Sequence, residues 1–200
     1  MSAPKPSFVA FSGPHRIALG SLQEVAIATK RELEQGPRGR LALYSERTGS
    51  PFDIDLRGDE SEMLQRLAKH PLAPSPAVEE PVKRAPGRPK LGVVSREVSL
   101  LPRHWDWLRQ RRGGASAALR ELVDEARLKK APEDQARRSV DATHNFMWDI
   151  AGDQPNFEEA SRALFAKDFE QFDLHTAKWP VDIQDQLQRF TAPARKFLWG

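Results

Sequence analysis

The chain has 200 residues, 39% of them hydrophobic, with 16 prolines and no cysteine. That length holds one moderate domain or two small ones, and the patchy prolines favour a composite chain; the missing thiol excludes disulfides, thiolate zinc sites and a cysteine nucleophile, and fits a reducing cytoplasm. The net charge of +3 is segregated: residues 1–81 carry 10 basic and 11 acidic side chains, residues 82–130 carry 13 and 5, and residues 131–200 carry 8 and 12, which places the positive excess in the middle, where a polyanion would bind.

No apolar run approaches the roughly 20 residues that span a bilayer, and MSAPKPSFVAFSGPHR lacks the long apolar core of a signal peptide, so a soluble cytoplasmic protein is expected. Phe8–Phe11 (FVAF) and Arg16–Gly20 (RIALG) read as short strands joined through Gly13-Pro14. Ser21 caps a helix with Glu24 as its capping-box partner; Leu22, Val25, Ala26, Thr29 and Leu33 share one face until Gly36-Pro37 stops it. RLALYSE and FDIDLRG form a second hairpin around RTGSP. Asp59 then opens a short helix over Met63, Leu64 and Leu67. The result is a ββαββα domain over residues 1–70.

Residues 71–90 (PLAPSPAVEEPVKRAPGRPK) are dense in proline, which can sustain neither hydrogen-bond ladder, and form a basic linker. From residue 91 the pattern changes. VVSREVSLL is a strand candidate; Pro102 starts a helix whose Trp105 and Leu108 face one way; Gly113-Gly114 ends it; Ser116 opens a second helix with a stripe of Leu119, Leu122, Val123 and Ala126. A lone strand needs a partner for its backbone, and the same strand of a second copy supplies one.

Residues 131–200 read as a helical bundle. Pro132 takes a first helical position, Asn156 caps NFEEASRALFAKD with Glu159 as its box partner, and FEQFDLHTAKW and VDIQDQLQRF continue the helical period. Phe146, Phe157, Phe165, Phe169, Phe172 and Phe190 are expected in its core, as is Trp105 in that of the preceding segment.

RAPGRPK resembles an AT-hook, whose Gly-Arg-Pro core lies along the A·T-rich minor groove. The resemblance implies that Arg88 enters the groove while Lys83, Arg84 and Lys90 meet phosphates; Pro86 stands where that motif carries a second arginine. Ser95–Lys130, with the strand REVSL, the Leu-Pro helix start, the Gly-Gly turn and SAALRELVDEA, resembles the ribbon-helix-helix fold. There, two antiparallel strands of a dimer enter the major groove and the second helix holds a phosphate at its N-terminus. One register turns Glu97, Ser99 and Leu101 to DNA, the other Arg96, Val98 and Leu100; phosphate binding through Arg96, Arg103, Arg109, Arg111, Arg112 and the Ser116 helix start is expected in addition.

Over most of its length the chain resembles an uncharacterised bacterial family, domain-of-unknown-function family 2239, through GRPKLGVVSREVSLLPRHWDWL, GGASAALRELVDEAR and AGDQPNFEEASRALFAKD. The expected architecture is α+β: a ββαββα domain over residues 1–70, a proline-rich linker over 71–90, a ribbon-helix-helix-like dimerisation and DNA-binding segment over 91–130, and a helical region over 131–200. The expected partners are duplex DNA, A·T-rich at the arm, and a second copy. A protein partner at the outer regions belongs to the rival reading, a dimeric assembly or antitoxin-like module. His15, His70, His104, His144 and His175 are isolated and no serine sits in a nucleophile elbow, so neither an enzyme nor a cofactor is expected.

Overall fold

The computed structural model describes residues 7–73 and 94–199, and the chain divides into two compact units, one of residues 1–75 with 132–200, the other of residues 76–131. The fold is mixed α+β. In the first unit the strands β1 (Phe8–Ser12), β2 (His15–Gly20), β3 (Leu41–Ser45) and β4 (Pro51–Phe52) form an antiparallel sheet in the order β2-β1-β3-β4. With α1 (Leu22–Gln35) and α2 (Glu60–Leu67) they complete the expected ββαββα order. Both capping expectations at the N-terminal helices hold: Ser21 and Glu24 make the reciprocal box of α1, and Asp59 caps α2.

β1 reads as an unbroken apolar run because both faces of the sheet are covered. Alternation divides its side chains: Phe8 and Ala10, with Leu43, join Leu22, Val25, Ala26, Met63 and Leu67 on the α1/α2 side, whereas Val9 and Phe11, with Ala42 and Tyr44, join the C-terminal helices. Those helices are the end of α4 (Gly114–Ala151) together with α5 (Phe157–Ala166), α6 (Phe169–Thr176) and α7 (Val181–Trp199). The first and last thirds of the chain thus share one hydrophobic core, centred on Phe11, Tyr44, Phe146 and Phe190, whose rings meet at centroid separations of 4.9–6.2 Å.

Several sequence expectations are corrected here. Of FDIDLRG only Phe52 joins a strand, the two-residue β4; Ile54 and Leu56 still pack onto the α1/α2 core, and Asp55 pairs with Arg57 and Arg66. Pro132 does not begin a helix but lies inside the 38-residue α4. Its missing N–H strands the Leu128 carbonyl, and residues 121–133 are all exposed, so water can take that acceptor. Asn156 adopts φ 61 and makes no side-chain cap, which removes the expected box with Glu159. Leu33 and Phe165 are exposed, and Trp105 is half-buried.

The turn between β3 and β4 lies directly on α4. Gly49 has φ +65, and a Cβ there would stand 1.8 Å from the carbonyl oxygen of Ala142. Asn145 fastens the same turn by donating from Nδ2 to the Thr48 carbonyl at 2.9 Å. No helix among the described residues is long and apolar enough to cross a membrane.

Candidate nucleic-acid interface

The second unit contributes α3 (Pro102–Arg109), the turn Gln110–Gly113 and the first part of α4. Pro102 occupies the first turn of α3, where its absent N–H costs no helical bond. Between residues 94 and 131 only Leu108 and Ala118 are buried, at 2% and 5% exposure. Seven large hydrophobics there stay exposed, among them Val98 (55%), Trp107 (42%), Leu122 (41%) and Val123 (54%). The stripe expected on the second helix exists as sequence, but in the single chain its Leu122, Val123 and Ala126 face solvent.

Residues 94–100 carry no regular secondary structure, in place of the expected strand. A strand is defined by its ladder, and nothing in this segment offers one. Arg96, Glu97, Val98 and Ser99 are all exposed, so the single chain selects neither register. Lys83, Arg84, Arg88 and Lys90 lie outside the described residues.

The remaining candidate residues fall within one short stretch of the second unit. Arg103 is exposed on α3, and Arg112 is exposed in the turn. Arg109, also exposed, pairs with Asp106 one helical turn back. A surface pair of this kind contributes little, so its guanidinium can exchange to a phosphate at small cost. Arg111 lies over the Trp107 ring, 4.0 Å from the centroid. That stacking orients the guanidinium while its N–H edge stays usable for a phosphate. α4 begins at Gly114, so Ser116 sits within its first turn, not at its cap. The Gly114 N–H is taken by the Arg111 carbonyl at 3.1 Å, leaving the amides of Ala115 and Ser116 as first-turn donors outside the helical ladder.

A family model described as an uncharacterized protein conserved in bacteria, DUF2239, matches residues 7–191. The chain belongs to that family. Neither a curated protein nor a solved structure matches this DUF2239 chain. The match takes in the layered unit and the basic segment alike, which makes both part of what the family specifies.

Sequence reasoning missed a polar cluster in the layered unit. Tyr44 donates its hydroxyl to Oδ2 of Asp149 at 2.7 Å, and Arg40 donates to the same oxygen. Burial first, and then the bond to Asp149, push the Tyr44 hydroxyl far above its ordinary pKa and keep it a donor. Beside it Glu46 accepts from Gln186 at 3.1 Å and Arg189 at 3.0 Å. Burial alone would raise Glu46; its bonds from Arg189, Ser7 and Gln186 outweigh this and hold it below the ordinary glutamate value. These pairs join residues more than 100 positions apart, so no local spacing announces them. Among the described residues no cluster of His, Asp or Glu is arranged to hold a metal ion.

Proposed function

We propose that the protein binds duplex DNA as a homodimer, as a regulator of transcription or an organiser of the nucleoid. Two copies of residues 94–101 pair as an antiparallel ribbon, and the arm carrying Lys83, Arg84, Arg88 and Lys90 follows the adjacent minor groove. The supporting observation is the imbalance of the second unit: seven exposed large hydrophobics against one buried, Leu108, between residues 94 and 131, beside exposed Arg96, Arg103, Arg109, Arg111 and Arg112. An apolar surface of this extent calls for a partner. A second copy satisfies it and the bare strand backbone together, because an antiparallel pair is its own two-fold complement.

Phosphates then supply most of the affinity, through the five arginines and the first turn of α4. Glu97 and the apolar neighbours on the strand limit base readout, so preference arises from A·T-rich groove shape at the arm. The two arms and the ribbon reinforce one another through effective concentration.

Duplex affinity measured between 50 and 200 mM salt tests this reading. Each phosphate contact adds about −0.9 to the slope of log K against log salt, so six or more contacts predict a fall of about a thousandfold or more. Absence of duplex binding at the low end overturns it and leaves the dimeric assembly or antitoxin-like module. Arg88→Ala should reduce the preference for A·T-rich over G·C-rich duplexes; an equal loss on both would make Arg88 a phosphate contact only.

A further inference from the structure

The layered unit holds an open cleft of about 420 Å³ where α4 meets the β3–β4 turn, lined by Ser50, Pro51, His144, Asn145, Trp148 and Asp149. His144, Asn145, Trp148 and Asp149 fall at i, i+1, i+4 and i+5 on α4 and therefore share one side of it. Trp148 is 66% exposed, although packing fixes it: its ring lies 5.9 Å from His144 and 5.7 Å edge-on to Phe157, and Phe157 in turn stacks on the buried Trp179. An indole held by its neighbours and still open to solvent is a ready stacking surface.

The polar groups beside it include two free acceptors. Oδ2 of Asp149 is occupied by Tyr44 and Arg40, while Oδ1 takes no hydrogen bond among the described residues. Asn145 gives one of its two amide N–H groups to Thr48 and keeps the other N–H and its carbonyl oxygen. Ser50 adds a hydroxyl. The charge at Asp149 is already balanced by Arg40, so a second cation would enter beside a guanidinium and be repelled. A neutral ring with N–H donors meets no such opposition.

We infer that this cleft binds a small neutral planar nitrogen heterocycle, of the nucleobase or nucleoside type, stacked on Trp148 and donating N–H hydrogen bonds to Asp149 Oδ1 and the Asn145 carbonyl. The site uses only residues of the layered unit, so it stands or falls apart from the DNA-binding reading. It gives the protein a place for a small effector.

The test is calorimetric or amide-NMR titration of the full chain, without DNA, with guanosine, adenosine, cytidine and uridine separately, and with arginine amide as a cationic probe. At least one nucleoside should saturate with a Kd below about 1 mM, the level of a modest polar and stacking contact. Trp148→Leu should weaken it at least tenfold, and Asp149→Asn, which keeps an acceptor for Tyr44, should change the ranking of the nucleosides. Leu174→Ala, on an exposed side chain outside the cleft, should bind as the parent does. Failure of all four nucleosides to saturate, undiminished binding by Trp148→Leu, or tighter binding of arginine amide would each overturn the inference.

Discussion

Phe8–Ser12 and Val94–Leu100 are both short stretches with the composition of strands, yet every residue of the first is buried and every residue of the second but Leu100 is exposed. The second stretch carries Arg96 and Glu97, and the two differ also in their neighbours. β1 has ladder partners on both sides, β2 and β3, and a helical layer on each face. The later stretch has neither among the described residues of its own unit. The layered unit pairs its strands and buries an extensive core within the single chain, although Trp148, Leu174 and Val181 stay exposed on it, whereas the described part of the basic segment buries only Leu108 and Ala118.

The largest effect that sharpens the contrast comes from the shared core. Phe146 is fully buried and meets the rings of Phe11, Tyr44 and Phe190. Phe146→Ala should cost about 3–5 kcal/mol in urea unfolding, the usual range for deleting a buried ring. Leu122→Ala should leave the transition of the layered unit in place and weaken self-association in sedimentation. A Leu122→Ala loss as large as that of Phe146→Ala would mean the basic segment has a core of its own, and the comparison would fail.

Next in size is the turn that seats the β3–β4 hairpin on α4. At Gly49 both the positive φ and the 1.8 Å approach to the Ala142 carbonyl oppose any side chain. Gly49→Ala should cost about 2–4 kcal/mol, combining left-handed strain with overpacking. The same substitution at Gly36, which also has positive φ but open space around it, should cost only the conformational part.

Glu46 gives a smaller effect with a pH signature. Its folded pKa lies below the unfolded value because the bonds from Arg189, Ser7 and Gln186 exceed the cost of its burial. Its contribution is therefore fully present above the ordinary glutamate range and is lost as pH falls through the folded value. Glu46→Gln should lower stability at pH 7 by about 1–3 kcal/mol. The gap between variant and parent should close on acidification; a gap independent of pH would show that packing, not the carboxylate charge, is what Glu46 supplies.

Local grammar was legible where local interactions decide the structure. The Ser21/Glu24 box and the Asp59 cap fix their helices through neighbours three residues away, and β1 and β3 stand out as short apolar runs bounded by turns. Prolines misled in one case: Pro132 has the look of a helix start, but exposed turns let water serve the stranded carbonyl and α4 runs through. What remained hidden is non-local. Nothing in the spacing of Val9, Phe11, Ala42 and Tyr44 says that helices from the last third of the chain cover them. The same holds for Tyr44, Arg40 and Asp149, which become a site only when β3 and α4 meet. In the basic segment the charge was legible in contiguous sequence, whereas the strand expected there is not formed by residues 94–100.

The smallest effect bears on the charge half of the comparison. Arg112 is exposed in the turn between α3 and α4, and Arg162 is exposed on α5, where it pairs with Glu158 at 3.3 Å. Both are surface arginines, so removing either should change stability within about 0.5 kcal/mol. Their effect on duplex binding should differ. On the proposed reading, Arg112→Ala should remove one phosphate contact, reducing the salt slope by about one and weakening binding equally on all sequences. Arg162→Ala should leave the slope unchanged, because its unit carries no excess of positive charge. Equal loss from the two substitutions would mean that DNA responds to net charge anywhere on the surface, and the second unit would lose its distinction as the interface.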